Sequence, residues 1–452
     1  MTWRKAIRGT RTVRVGLLDV SAAGAQVWWV AGPVDRDAGS RAGEVLDRMA
    51  ALGPRFRVGL QPSPDTRRWK FTDKPSLNAK LNVDISGCTT VQEILDRVVD
   101  RAPAAPISVG QAGEYLCIGF DHGVGDANLA MEVVAALSHT EAPSGFVDPL
   151  PAPTLDTPVR RAVIHQFRSA PRLIIAHALS LVNAKRSASS AQARAAAGDD
   201  EPVVQGAQDA QGCRVVFVKS EPHFADELRT WREANGTRAS VRALVTLSLY
   251  RALRDAGIRL ADDCEVVVDL RRFLLDEEHT LSNFFGVAHV PAGADATDEK
   301  FGADLHARVR STEPLVRLAL HLAQERALAA VPGRRSQAWK LGAGDARSPV
   351  AHLTISDVSK AASAAKIRWT RPMDAELAVV GPPASASHLS ISVCVAGNGS
   401  VQATAVFPAS LVDAETVRIA LQKALNSEHL RADRGAYGRS RPAEPSPHAR
   451  HA

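Results

Sequence analysis

Apolar and polar positions alternate over residues 12–20 and 26–32, which predicts two strands near the start of the chain. Apolar positions every three or four residues over 41–52 predict an amphipathic helix. Short strands are expected at 56–60, 69–71 and 81–85, and a helix at 91–99. A strand beginning at Tyr115 then opens into a polar, glycine-rich turn, and a helical pattern covers 127–137. The proline-rich stretch 149–158 leads into a basic amphipathic helix over 159–185, which Pro171 should kink or split. Residues 186–212 are rich in Ala, Ser, Gln and Asp, bury too little to form core, and read as a linker.

The pattern then restarts. A strand is predicted at 214–219, helices at 222–235 and 240–256, and strands at 265–269 and 287–290. A long amphipathic helix over 298–328 carries Pro314 as a point of interruption. Strands follow at 352–356, 378–380, 389–396 and 401–406, and a last helix at 414–425. Asn398-Gly399 between two apolar runs is a hairpin signal. Neither half shows a regular βαβ rhythm, so the fold class is α+β in two layers. The expected divisions are 1–185, a linker at 186–212, a second unit at 213–430 and a disordered basic tail at 431–452.

Composition narrows the function. With 452 residues the chain is too long for one compact core. A net charge of +6, partly in the tail and without an aromatic–basic reading motif, argues against nucleic acid as partner. It suits a modest attraction to phosphorylated or acidic partners. Cys88, Cys117, Cys213, Cys264 and Cys394 are scattered without a C-x-x-C pair, as expected of reduced cysteines in a cytoplasmic protein. Met1-Thr2-Trp3-Arg4-Lys5 has no signal-type apolar run behind it, and no stretch is suited to span a bilayer. His139, His279, His289, His352 and His388 lack metal-ligand spacing, so no metal is expected.

The densest chemistry lies at Asp121-His122-Gly123-Val124-Gly125-Asp126-Ala127. His122 stands where a buried strand opens into a loop, with Asp126 four positions later at the mouth of a helix. A fixed imidazole of this kind is the usual general base of proteins. Alone, the spacing is more often that of a structural turn histidine, and Asp126 equally suits a helix N-cap.

With blocks from the second half, the chain resembles the condensation-domain and wax-ester-synthase-like acyltransferases, which share the chloramphenicol acetyltransferase fold. Their signature is H-H-x-x-x-D-G. His122 falls on its second histidine and Asp126 on its aspartate, while Asp121 and Ala127 replace the first histidine and the final glycine. Val268-Asp269-Leu270-Arg271, followed by Leu281-Ser282-Asn283-Phe284-Phe285-Gly286, resembles the family's D-x-R and G-N-x-x-G block, with Ser282 for the first glycine. Thr354-Ile355-Ser356-Asp357 resembles a later strand ending in a serine–asparagine pair. The order of elements agrees over most of 10–428.

The resemblance implies two chloramphenicol-acetyltransferase-like subdomains in a V with a tunnel between them. It implies a stand-alone acyltransferase that joins an acyl thioester to an alcohol or amine acceptor. The donor would be acyl-CoA or an acyl-phosphopantetheine on an acyl-carrier protein, used as co-substrate, with no bound cofactor. His122 would be the general base, Asp126 and Arg271 a clamp beneath it, and Asn283 and Ser356 tunnel or oxyanion contacts. No acyl-enzyme is needed, in keeping with the lack of a G-x-S-x-G elbow. Arg271 beside Arg272 also reads as a solvated basic pair, Asn283 as a turn residue and Ser356 as a strand-end serine. Asp121 and Asp126 match the spacing of heterocyclising relatives, but Leu129 stands where their serine should be. The altered flanks also motivate a rival reading, a non-catalytic module that docks carrier proteins.

The helix over 159–185 carries Arg160, Arg161, Arg168, Arg172 and Lys185 beside Ile164, Phe167, Leu173, Ile174 and Leu179. This composition suits weak association with a membrane surface or an acidic carrier protein. The preferred reading puts its apolar stripe in the core and its charges on a solvated face.

Overall fold

A computed structural model of the chain describes residues 11–75, 80–102, 105–139, 157–195, 212–329, 350–359 and 364–428. The first half contains β1 (Arg11–Arg14), α1 (Leu17–Ala22), β2 (Gln26–Gly32), α2 (Ala42–Ala51), β3 (Leu60–Gln61), β4 (Arg68–Phe71), α3 (Val91–Val98), β5 (Ile107–Ala112), β6 (Tyr115–Asp121), α4 (Ala127–Ser138), α5 (Pro158–Ser169) and α6 (Pro171–Ala195). The second contains β7 (Cys213–Lys219), α7 (Phe224–Ala234), α8 (Val241–Asp255), β8 (Leu260–Asp269), β9 (Phe285–Pro291), α9 (Asp298–Arg310), α10 (Glu313–Ala329), β10 (Ala351–Asp357), β11 (Glu376–Val380), β12 (His388–Val395), β13 (Val401–Pro408) and α11 (Ala414–Ala424).

Three sheets organise these elements: β1-β4-β3, β11-β2-β6-β5 and β7-β13-β12-β10-β8-β9. The four-stranded sheet buries Val27, Trp29, Ile118 and Phe120 with residues of α2 and α4. Its opposite face, with Trp28 and Val30, packs on α3 and reaches Val215 and Val406 of the other half. The six-stranded sheet packs its Ile355 and Ile391 side with α8, α9 and α11.

One strand crosses between the halves. β11 pairs antiparallel with β2, placing Ala378 opposite Val30 and Val379 opposite Trp29. This makes β11 the edge of the first half's sheet. Its backbone is stitched to the second half by side chains of β13. The Leu377 amide donates to Gln402 Oε1 at 2.6 Å, the Val379 amide donates to Thr404 Oγ1 at 3.4 Å, and Gln402 Nε2 donates to the Ala375 carbonyl at 2.6 Å. A buried edge must satisfy its polar groups in some such way.

Local signals set most boundaries. Thr90 and Glu93 form a capping box on α3, and Ser240 and Thr297 cap α8 and α9. The helical run after residue 157 breaks at Ala170, before Pro171. The run after 298 breaks just before Pro314, leaving the proline in the first turn of α10. The Asn398-Gly399 turn joins β12 to β13, with Gly399 at φ 78°.

The secondary structure differs from expectation in several places. The strand expected over 12–20 stops at Arg14, because Asp19 Oδ2 accepts the Gly16 amide at 3.1 Å and starts α1. Of the strand expected at 56–60 only Leu60 is strand, and the residues before it form a tight turn with Arg57 in the left-handed region at φ 70°. Residues 81–85 form no strand; an isolated bridge joins Lys80 to Val109 instead. β5 was not expected, since Ser108, Gly110 and Gln111 interrupt its apolar character. The segment read as a linker from 186 begins as helix, because α6 continues to Ala195. Residues 196–211 of that segment, 149–156 of the proline-rich stretch and the tail from 429 lie outside the described residues.

Candidate active site

A cavity of about 1750 Å³ lies between the halves and is lined by both. Val27 and Trp29 of β2, Phe120 of β6 and Val379 of β11 give it an apolar wall. The facing wall is hydroxylated. In the parallel β10–β12 pair, Thr354 lies opposite Ser390 and Ser356 opposite Ser392, and all four line the cavity. The period of two in the strands sends Ile355 and Ile391 the other way, into the core.

His122 lines this cavity at the end of β6. Its amide donates to the Ala25 carbonyl at 2.7 Å, which fixes the backbone. The ring stacks on Phe285 at 5.8 Å between centroids and 14° between planes, and meets Phe120 edge-on at 6.5 Å. Nδ1 lies 3.0 Å from the Gly125 carbonyl oxygen. A carbonyl only accepts, so Nδ1 carries the proton in the neutral ring and Nε2 keeps the lone pair. No described residue hydrogen-bonds Nε2.

Two arginines hold the loop that presents this ring. Arg271, just after β8, donates Nη2 to both oxygens of Asp126, at 3.1 and 2.9 Å, and to the Ser282 carbonyl at 3.1 Å. Its Nε donates to the Thr280 carbonyl at 3.0 Å and its Nη1 to Asp269 Oδ1 at 3.1 Å. The expected clamp is therefore present, but one nitrogen serves both Asp126 oxygens and the rest of the fork is used elsewhere. Burial opposes the charge on Arg271, yet Asp126 and Asp269 outweigh it and raise its pKa. Asp126 also caps α4 by accepting the Asn128 amide at 3.1 Å, and it accepts the Phe284 amide at 3.2 Å. Cap and clamp are the same carboxylate.

The second arginine was not anticipated. Arg57 donates to the Gly123 carbonyl at 3.1 Å and to the Val124 carbonyl, and pairs with Asp19 at 2.9 Å. Both side chains are almost fully buried. Burial raises the Asp19 pKa against the opposing pull of Arg57. Nothing local marks these two as partners of the histidine loop, and the left-handed φ of Arg57 is visible only in the fold.

Asn283 is placed differently from expectation. It is buried and does not line the cavity; its Nδ2 donates to the His122 carbonyl at 2.7 Å and its amide to Asp19 Oδ1 at 3.2 Å. It ties the loop from behind. Ser356 does line the cavity, and its hydroxyl has no hydrogen-bond partner among the described residues. Asp121 does not hydrogen-bond the imidazole. Its carboxylate accepts the Gly24 amide at 2.9 Å and the Gly123 amide at 2.8 Å, and burial raises its pKa against those bonds. Asp357 accepts the Ser359 amide at 2.9 Å and lies 3.3 Å from Arg242 Nε. The glycines are needed for close approach. A Cβ on Gly123 would meet Ala23 and Asp19 backbone at 2.9 Å, and one on Gly125 would meet the Leu281 carbonyl at 2.8 Å.

One mouth is cationic. Among the described residues, eight Lys or Arg side chains line the cavity against four carboxylates. On α9, Lys300, Ala303, His306 and Arg310 follow one helical stripe along the cavity, with Arg238 before α8. Burial lowers the pKa of Arg272; Asp269 opposes this, and the like charges of Arg242 and Arg310 add to it. A bound anion there would relieve that crowding. Among the described residues no His, Cys, Asp and Glu group is arranged to hold a metal.

No family model matches the sequence, and no curated protein matches it either. Solved structures do match it in fold. A nonribosomal peptide synthetase, FmoA3, aligns with a TM-score of 0.54 at 14% identity over 92% of this chain, which spans 42% of that one. Polyketide synthase associated protein 5 from Mycobacterium tuberculosis aligns at 0.51 and 16% identity, covering 92% of this chain and 99% of the other. The TRI3 trichothecene 15-O-acetyltransferase from Fusarium sporotrichioides aligns at 0.52 and 9% identity, covering 92% and 95%. The chain thus has the α+β fold common to condensation domains and chloramphenicol-acetyltransferase-like acyltransferases.

Proposed function

We propose that the protein moves an acyl group from a phosphopantetheine thioester to an alcohol or amine, with His122 as general base. The observation that carries this reading is the His122 ring. Its Nδ1 is committed to the Gly125 carbonyl, and the ring lines a cavity that residues of both halves enclose.

Nε2 takes the proton from the acceptor hydroxyl or amine as its oxygen or nitrogen attacks the thioester carbonyl carbon. The carbon–sulfur bond then breaks, and the imidazolium returns the proton to the thiolate. The ester or amide and a free thiol leave. A positioned base of this kind contributes about 10²–10⁴-fold, and holding both substrates in one cavity supplies further rate. The Ser356 hydroxyl is the remaining candidate donor for the developing oxyanion. The cationic mouth along α9 supports a donor that carries phosphate. The Asp121 carboxylate secures the loop backbone through the Gly24 and Gly123 amides, which supports this reading despite the altered flank.

The deciding experiment measures thiol release by wild type and His122→Ala with acyl-CoA donors of increasing chain length and pooled alcohol and amine acceptors. Acceptor-dependent release, reduced about 10²-fold or more in the variant with its fold intact, is expected. Equal release in both proteins removes His122 from the mechanism. Silence with CoA and carrier-bound donors alike, together with carrier binding unaffected by the substitution, leaves a docking module instead.

A further inference from the structure

α6 carries two largely apolar stripes, and among the described residues only one of them is covered. The inner stripe, Ile174, His177, Ala178 and Leu181, turns inward where α6 packs against α10. His177 Nδ1 lies 3.0 Å from Thr312 Oγ1 there. The outer stripe is Ile175, Leu179 and Val182, spaced i, i+4 and i+7, and these are 49%, 59% and 37% exposed. Leu173 in the first turn of α6 and Phe167 in the last turn of α5 are exposed at 56% and 48%. The expectation that the apolar stripe of this helix is core holds for Ile174 and fails for Phe167, Leu173 and Leu179. Single exposed hydrophobics are ordinary, but five of the nine large ones exposed among the described residues fall within 167–182.

The charge on this segment is one-sided. Residues 157–198 contain no Asp or Glu, while Arg160, Arg161, Arg168, Arg172, Lys185, Arg186 and Arg194 lie within them. Arg161 pairs with Glu278 across the fold at 2.8 Å. Arg160, Arg168 and Arg172 are exposed and have no carboxylate partner among the described residues. An apolar strip bordered by these guanidinium groups complements a surface that offers anions at its rim and hydrocarbon just beneath. No helix among the described residues is long and apolar enough to cross a membrane, so such a contact is lateral.

We propose that the outer face of α5 and α6 docks the protein on an anionic lipid bilayer. Ile175, Leu179 and Val182 enter the headgroup boundary, and Arg168 and Arg172 meet lipid phosphates. This inference rests on the surface alone and is independent of the acyl-transfer reading.

Flotation of the full chain tests it, with vesicles of phosphatidylcholine alone and of phosphatidylcholine mixed with phosphatidylglycerol, at low and raised salt. Wild type should float with the mixed vesicles, less so at raised salt and less with phosphatidylcholine alone. Ile175→Gln/Leu179→Gln and Arg168→Gln/Arg172→Gln should each weaken binding by about tenfold or more. These positions are exposed, so an unchanged circular dichroism spectrum and melting temperature verify the fold of each variant. Failure of wild type to float with mixed vesicles overturns the proposal. So does loss in the arginine variant alone, which would reduce the effect to general attraction of a basic protein. A wild-type dimer that Ile175→Gln/Leu179→Gln dissociates, with no vesicle binding, would assign the stripe to a second copy and also overturn it.

Discussion

Arg271 Nη2 lies 2.9 Å from Asp126 Oδ2, joining residues 145 positions apart directly beneath the histidine loop. Asp126 is 6% exposed and accepts three different donors: Arg271, the Asn128 amide and the Phe284 amide. Removing its charge leaves Asp269 as the one carboxylate paired with Arg271 among the described residues. Breaking a buried pair from one side costs about 3 kcal/mol or more. Asp126→Asn should therefore lower the urea midpoint by an amount of that order and reduce kcat as the loop relaxes. If denaturation and turnover both match wild type, the clamp has no role in either.

Phe285 forms one wall for the His122 ring. Phe285→Leu keeps apolar volume and removes the flat surface, so the imidazole gains freedom to turn. Small misplacements of a reacting group cost up to about 10²-fold. The expected result is kcat lowered by about tenfold with KM within about twofold, read from steady-state thiol release. A change confined to KM would mean that Phe285 contacts substrate instead of orienting the base.

Gln402 is the stitch between the sheets. Gln402→Leu preserves size but leaves the Leu377 amide and the Ala375 carbonyl without their partner. A buried polar group stripped of its hydrogen bond costs about 1–3 kcal/mol. Chemical denaturation should show a loss of about 2 kcal/mol or more in Gln402→Leu. A surface variant such as Glu428→Gln should be neutral.

The α9 stripe should act on donor affinity and not on chemistry. Lys300→Ala/Arg310→Ala removes two exposed cations from the cavity mouth. KM for acyl-CoA should rise about tenfold, with kcat nearly unchanged and the rise shrinking at high salt. Acyl-pantetheine donors, which lack phosphate, should show no difference between the two proteins. An equal rise with those donors would show that the stripe shapes the cavity without reading phosphate.

The sequence by itself determined whatever depends on near neighbours. Period-two and period-3.6 patterns placed most strands and helices, Pro171 marked the break between α5 and α6, and Asn398-Gly399 marked the hairpin. His122, Asp126 and Arg271 could be named as one group only through the family resemblance of the short blocks that flank them. Tertiary structure decided what depends on distant partners. Arg57 and Asp19 meet behind the loop, Asn283 turns to the His122 carbonyl and away from the cavity, and β11 completes a sheet begun by β2. None of these contacts leaves a periodic trace, since each joins segments whose own patterns are satisfied without the other. The second stripe of α6 shows the same limit from the opposite side. Apolar spacing tells that a face wants burial, and only the packed fold tells which face has found it.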